Sequence, residues 1–363
     1  MDTEKPFYET ELEGDEPDPD ATPLRDRKVI TQPYDLAIES IVGQVKTDTL
    51  FLRPLNQRPN FQRQYVWPDN FASKLVESVL LNVPIPPCYL SENEERELDV
   101  IDGQQRIFSL FRFHENQFKL TKLEVLTEFN GLRFFELPSK EQRKIKTHTL
   151  RCVVVTNESH PDIKFDVFER LNTNTVPLNP QELRNCVNRG ALNDLLGELS
   201  TDSRWLSIRE RKRPDKRLAD EELILRFFAY QILGLSSYKT PLKIWLNDAA
   251  KRGRKLNETK IEELRNLWTN TLDVVLALDE PDRCFRRPGS KPINRALFDL
   301  TMYSAVSMNV ADARKLSKKF RGKLDRLCRD ENFSDLIRRA VDHKSRTLSR
   351  FQIWNNEMQE IFG

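Results

Sequence analysis

The chain reads as an α+β protein: an N-terminal α/β part followed by a mainly helical C-terminal part. Three observations predict this. Short β-branched, apolar runs such as Leu98-Asp99-Val100-Ile101 and Leu150-Arg-Cys-Val-Val-Val155 lie in the N-terminal half, interleaved with apolar residues at helical spacing. Beyond about residue 200 only the helical period persists, as in Leu223, Ile224, Phe227, Phe228 and Ile232. At 363 residues the chain is long enough for two cores. The expected division is an acidic tail over 1–33, a first domain over 34–200 and a basic helical domain over 201–363.

The tail comes first. Residues 1–20 carry nine acids against Lys5, a charge of −8, so the rest of the chain carries +10 behind a net charge of only +2. An acidic, proline-rich stretch of this kind cannot bury enough apolar surface to order itself. It either shields a basic surface or is a solvated leader.

The folded part is expected from Tyr34, with a short amphipathic stretch at Ser40-Ile41-Val42 and a strand near Leu50-Phe51-Leu52. Phe61-Gln-Arg-Gln-Tyr-Val-Trp67 comes next. Arg63 could meet a phosphate there, and Tyr65 and Trp67 could present flat faces to a base, although such rings also serve as ordinary packing. Pro68-Asp69-Asn70 starts a helix with apolar face Phe71, Leu75, Val79 and Leu80, and Pro84 stops it. Cys88-Tyr89-Leu90 is then a strand able to pair with 97–101 across the charged turn Glu92 to Arg96.

That hairpin ends in Asp102-Gly103, a turn signal, and Ile107, Leu110 and Phe111 continue at helical spacing. A helix start offers unpaired N–H groups and a partial positive charge, which suits an anion. Gly103 would let a ligand approach the backbone, Gln104 and Gln105 could donate amide hydrogens, and Arg106 could pair with a phosphate. The alternative is that Asp102 merely caps a surface helix.

A second cluster lies downstream. Phe165, Phe168 and Leu171 mark a helix that stops in Asn172-Thr-Asn-Thr-Val-Pro177, and Asn179-Pro180-Gln181-Glu182 is a capping box with proline at the first helical position. Glu169, Asn172, Glu182 and Arg184 would edge a pocket if this loop faced the Asp102 turn; otherwise Glu182 simply caps its own helix.

Taken together, Phe-Gln-Arg-Gln-Tyr-Val-Trp (61–67), Pro-Ile-Pro (84–86), Val-Ile-Asp-Gly-Gln-Gln-Arg (100–106) and Val-Phe-Glu-Arg-Leu-Asn-Thr…Val-Pro-Leu-Asn-Pro-Gln-Glu-Leu-Arg (167–184) resemble, in order and spacing, the GmrSD restriction-endonuclease N-terminal domain family. The resemblance covers roughly 35–190. It implies a core similar to ParB and sulfiredoxin, and an Asp-Gly-Gln-Gln-Arg segment that binds and hydrolyses nucleoside triphosphates in DNA restriction and phage defence. Carried onto this chain, it makes Asp102 and Arg106 the catalytic candidates. Arg63, Tyr65, Trp67, Gly103, Gln104, Gln105, Ser109 and Asn172 join them as nucleotide-binding candidates, and Mg2+ accompanies the triphosphate. Two departures stand out. Ile107-Phe108-Ser109 replaces the family's common Leu-Thr-Thr, leaving Ser109 as the one hydroxyl, and Asn174 and Thr175 stand where the family usually has glycines.

The helical part carries a second stripe, Ile261, Leu264, Leu267, Trp268, Leu272 and Val275. Around these stripes run three basic segments. Arg204 to Arg217 holds seven basic residues against two acids, Arg283 to Arg295 five against none, and Arg314 to Arg329 eight against one. On a shared face they would bind nucleic acid, with Arg211, Lys212, Arg213, Arg286, Arg287, Lys318 and Lys319 as DNA-binding candidates; scattered, they are solvated helix faces.

The remaining signals exclude more than they assign. There is no GxxxxGK[ST] loop, so nucleotide chemistry would not be of the P-loop type. The five cysteines form no CxxC pair and the four histidines are dispersed, which argues against a zinc site and for reduced thiols. Asp342-His343 with Asn355 resembles a fragment of an HNH nuclease site without a third ligand, so cleavage would need a partner chain. No apolar run approaches a membrane span, and Met1-Asp-Thr-Glu-Lys5 is no secretory leader, so a cytoplasmic location is expected. The resulting expectation is an NTP-binding and hydrolysing component of a DNA restriction or defence system. Its partners would be a nucleoside triphosphate, DNA and a separate nuclease subunit, with self-association left open. The alternatives are a non-catalytic ParB-like DNA-binding or adaptor protein and, less favoured, a self-contained nuclease.

Overall fold

A computed structural model describes residues 8, 29–52, 67–93, 95–159, 167, 179–188 and 190–362. They fall into two compact units that divide between Val187 and Asn188, with Tyr8 counted in the second.

The first unit runs β1 (Thr31–Pro33), β2 (Leu36–Ala37), α1 (Ile38–Lys46), β3 (Leu50–Phe51), α2 (Asp69–Leu81), β4 (Cys88–Glu92), β5 (Leu98–Asp102), α3 (Gln104–His114), α4 (Ser139–Thr147), β6 (Thr149–Leu150), β7 (Cys152–Val155) and α5 (Pro180–Val187). The main sheet has the order β1-β7-β4-β5-β3, while β2 and β6 pair separately. The expected hairpin is there: β4 and β5 are antiparallel with Leu90 opposite Val100 and Ser91 opposite Asp99. Its far neighbours are parallel, β3 to β5 and β7 to β4.

Side-chain alternation splits the sheet into two buried faces. Leu90, Val100 and Val154 point toward α1 to α4 and pack with Val76, Val79, Ile107, Leu110 and Phe113. Ile101 and Val155 point the other way and meet Leu183 of α5. Helix α2 forms where the sequence predicts it, but Phe71 is 55% exposed, and the inward face is Ala72, Leu75, Val76, Val79 and Leu80. Those positions keep the i, i+3, i+4, i+7 period that Phe71 breaks.

Leu150–Val155 is not one strand. Leu150 pairs with Leu36 in the small sheet, and Cys152 joins the large one beside Cys88. The break falls at Arg151, whose carbonyl accepts the Cys88 N–H at 2.8 Å. Beneath α2, the buried Glu77 carboxylate holds the 124–126 loop by accepting the N–H groups of Val125 (2.8 Å), Leu126 (2.9 Å) and Glu124 (3.4 Å). Burial alone would raise its pKa; these backbone donors outweigh burial and hold it below the ordinary carboxylate value.

The second unit is helical, as expected. Both predicted stripes pack into the core, on Ala219–Leu233 and Glu258–Leu278, with Ile232 and Leu267 only partly buried. Trp205 lies edge-on to Trp268 and Phe298 at 5.7 and 5.8 Å. The core also contains ions: Arg226 donates to Asp299 at 3.1 and 2.6 Å, with Tyr230 donating to the same carboxylate at 3.4 Å. At the edge of this unit the Arg295 guanidinium lies 4.6 Å from the Tyr8 ring, and Tyr8 bridges to Ile293. Among the described residues no helix is long and apolar enough to cross a membrane.

Candidate functional site at the end of the hairpin

The junction of β5 and α3 is where the Asp-Gly-Gln-Gln-Arg segment lies. One side of the hairpin is bulged there: Leu90 faces Val100 but Tyr89 faces Asp102. Such an extra residue bends the strand end and re-aims the residues beyond it. Gly103 then turns the chain at φ 95°, a left-handed conformation natural to glycine. Its missing side chain matters as much as its dihedral angles. A Cβ built there would overlap Cys88 Sγ and stand 2.9 Å from Cys88 Cβ.

Gly103 is the residue before the first turn of α3 and, being glycine, brings no capping side chain of its own. The first N–H groups of a helix carry its positive end, so the local backbone favours an anion. Gln104 and Gln105, both half-buried, form that turn.

Arg106 is drawn inward. Its Nη2 donates to Asp102 Oδ2, and its Nη1 donates to the carbonyls of Pro86 and, at 3.2 Å, Pro87. One guanidinium thus ties the end of β5, the start of α3 and the proline turn before β4. The expectation that Arg106 simply projects toward a phosphate is therefore modified: it braces the turn. Ser109 lies one turn further into α3. It is buried, and its hydroxyl donates at 2.6 Å to the Gln105 carbonyl one turn back, so the residue serves its own helix.

Below the turn lie Cys88 and Cys152, register partners on adjacent parallel strands. Cys152 Sγ donates to the Leu150 carbonyl at 3.7 Å. The neighbouring Cys152 thiol, with burial behind it, pushes the Cys88 thiol up, while Cys88 beside it holds Cys152 below the ordinary thiol value. Nothing in the spacing announces this pair, because the two cysteines are far apart in the chain. The signal is Gly103: a turn glycine directly after a buried strand invites the question of what fills its Cβ space.

The other candidates are dispersed. Trp67 is partly buried against the first core, its ring 6.5 Å from Phe71, so packing accounts for it. Arg63, Tyr65, Glu169 and Asn172 lie outside the described residues. The capping box is formed: Asn179 Oδ1 accepts the Glu182 N–H at 2.8 Å and Glu182 Oε2 accepts the Asn179 N–H at 2.7 Å. Arg184 is buried and donates to Gln181 Oε1 at 2.9 Å.

Among the described residues, a divalent cation would meet the carboxylate of Asp102 at the turn, whose Oδ2 already faces Arg106. No group of three or more His, Cys, Asp or Glu able to hold a metal occurs among the described residues. The donors present fit an ion that arrives on a phosphate and keeps most of its water, which is how Mg2+ is commonly held.

In the helical unit the candidate DNA-binding residues separate into two kinds. Arg211, Lys212 and Arg213 are exposed. Arg286 is buried: its guanidinium donates to the carbonyls of Ile208 (2.7 Å), Lys291 (2.6 Å), Cys284 (3.0 Å) and Pro281 (3.2 Å), which makes it a clasp between loops. Arg287 is half-buried. Lys318 is exposed, and Lys319 pairs with Glu360 at 2.8 Å. Asp342 of the HNH-like fragment lies 3.7 Å from the buried Arg226, and its carbonyl accepts the Tyr238 hydroxyl at 2.9 Å. His343 accepts the Thr347 N–H at its carbonyl at 2.8 Å, at the start of the last helix. Asp342 is thereby used in the fold, while the bond at His343 involves its backbone alone.

Residues 38–187 match the family model described as GmrSD restriction endonuclease, N-terminal domain. No curated protein matches the chain. No solved structure matches it either.

Proposed function

Residues 38–187 belong to the GmrSD restriction endonuclease N-terminal domain family, and from that premise we propose that this component of a restriction or phage-defence system binds a nucleoside triphosphate at its Asp102–Arg106 turn and hydrolyses it. The observation that carries the reading is the turn itself: a left-handed Gly103 passes the chain directly from the end of β5 into the first turn of α3. Backbone N–H groups there would receive phosphate oxygens, as helix N-termini do. Arg106 keeps the turn in shape and supplies positive charge beside it, and Asp102 fixes Arg106 through their ion pair. Mg2+ carried on the triphosphate would neutralise phosphate charge. DNA is the partner that restriction requires, and a separate nuclease subunit would supply the cut.

A second reading has support from one observation. Arg106 already spends donors on Asp102, Pro86 and Pro87, so the turn has an architectural use without a reaction. In that case the chain is an adaptor for which nucleotide is a conformational ligand or is not needed.

Phosphate release from each of the four NTPs with Mg2+, with and without DNA, separates the two readings. Release by the wild type that Arg106→Ala abolishes supports the hydrolase. Nucleotide binding without release leaves the adaptor reading, and neither binding nor release removes the nucleotide from the function altogether.

A further inference from the structure

The geometry points to a phosphate-backbone interface for duplex DNA on the helical unit, formed by loops 209–217 and 281–291 acting as one rim. It deepens the restriction reading and rests on it for the choice of DNA among polyanions.

The rim begins with what lies beneath it. Arg286 is buried between the loops, and its guanidinium donates to three carbonyls of its own loop and to Ile208 at the foot of the other. Asp220 closes the first loop from the opposite side. Its buried carboxylate accepts from Trp205 Nε1 at 2.7 Å, from Arg209 Nη1 and from the Asp215 N–H at 2.5 Å. Burying an arginine and an aspartate is costly, and each is here fully engaged. Together they fix the loops relative to each other.

On the rim, cations are displayed. Arg211, Lys212, Arg213 and Lys216 on one loop and Lys291 on the other are exposed. Glu210, 3.9 Å from Arg286, and Asp282 are the exposed acids among them. Adjacent like charges repel, and a row of phosphates relieves that repulsion while releasing counterions. Cations spread over two loops match a charged strand better than a single small anion.

The third basic segment behaves differently. On the helix Val310–Arg329, Lys315 pairs with Asp312, Lys319 and Lys323 with Glu360, and Arg321 with Asp279. Four of its eight basic side chains are answered within the fold. The rim is thus narrower than the sequence proposes: it takes in two of the three basic segments.

The test is anisotropy of a labelled duplex of about 30 base pairs, titrated with the full-length protein between about 50 and about 200 mM salt. The variant Arg211→Gln/Lys212→Gln/Arg213→Gln is expected to bind more weakly, with the slope of log affinity against log salt reduced by about 2–3. Lys318→Gln/Lys319→Gln is expected to keep the wild-type slope. Arg286→Met retains every rim charge yet frees the loops, so weaker binding by a folded Arg286→Met protein supports the clasp. If that variant does not fold, the triple variant, confined to exposed side chains, decides alone. Wild type that ignores the duplex at the lowest salt, preference for RNA over DNA, or a triple variant with unchanged slope overturns the rim. Phosphate release measured on the same preparations is independent: a protein that releases phosphate but ignores DNA loses the rim and keeps the nucleotide reading.

Discussion

Gly103 sits directly against Cys88, and the contact leaves no room for a side chain on the glycine. The loop with the candidate chemistry is therefore seated on the sheet by a missing Cβ. Two constraints coincide at this residue, a left-handed φ of 95° and a closed Cβ space.

Gly103→Ala is accordingly expected to destabilise the protein by about 2–4 kcal/mol, from the left-handed backbone and the overpacking together. Cys88→Ala in the same chain should restore about 1 kcal/mol, because removing Sγ opens part of the space while Cys88 Cβ still crowds it. Urea unfolding of the two single variants and the double variant gives this coupling. Strictly additive effects would show that the thiol is not what closes the space.

Arg106→Lys tests what the guanidinium does. A lysine keeps the charge but cannot reach Asp102 and the carbonyls of Pro86 and Pro87 at once, as the fork of Arg106 does. The expected result is a loss of about 1–3 kcal/mol in stability, with nucleotide binding weakened in step. Lysine that restores binding in full would assign the residue to phosphate charge alone.

Glu77 supports the loop that covers α2, through three backbone N–H groups. Glu77→Ala leaves those donors unpaired, and a loss of about 2–4 kcal/mol is expected in thermal unfolding near neutral pH. Its folded pKa lies below the ordinary carboxylate value. The contribution is thus present above that value and is lost as the pH falls through the folded one. Wild type and Glu77→Ala should converge in strongly acidic buffer; a constant difference across the acid range would contradict the backbone clasp.

The hairpin, the Asp-Gly turn, helix α2, the capping box and both helical stripes were legible because each is written in local signals: alternation, turn residues, caps and the helical period. The same local logic misled at Phe71, where the helical face starts one residue later, and at Arg151, where a continuous apolar run divides between two sheets. What joins distant parts of the chain was not legible. Cys88 beside Cys152, Arg286 reaching Ile208 and Glu77 under the 124–126 loop are pairings that the fold creates and that no spacing announces. Basic residues show the difficulty most plainly. Arg286 and Lys291 look alike in sequence, yet one is buried among carbonyls and the other faces water.

Asp220 and Arg209 provide the pH dependence. Burial pushes the Asp220 carboxyl up to about 6, against the opposing pull of Arg209, the Asp215 N–H and Trp205. A folded pKa above the unfolded one means that the native protein holds this proton more tightly. Asp220 therefore favours folding most below about pH 4, and the benefit is lost as the pH rises through about 6. Asp220→Asn keeps the shape and cannot titrate. Between about pH 4 and about pH 7 its stability relative to wild type should shift in the variant's favour by about 3 kcal/mol, the equivalent of the pKa displacement. Arg209→Met acts in the other direction. It removes the cation that opposes burial, so at neutral pH the buried carboxyl either stays charged without its ion pair or takes up a proton, and a loss of about 3–5 kcal/mol is expected. Chemical denaturation of the three proteins at several pH values measures both effects. A stability difference between wild type and Asp220→Asn that stays flat with pH would mean that this carboxyl does not titrate in that range. Arg209 and the N–H donors would then outweigh burial and keep the buried carboxylate ionised throughout.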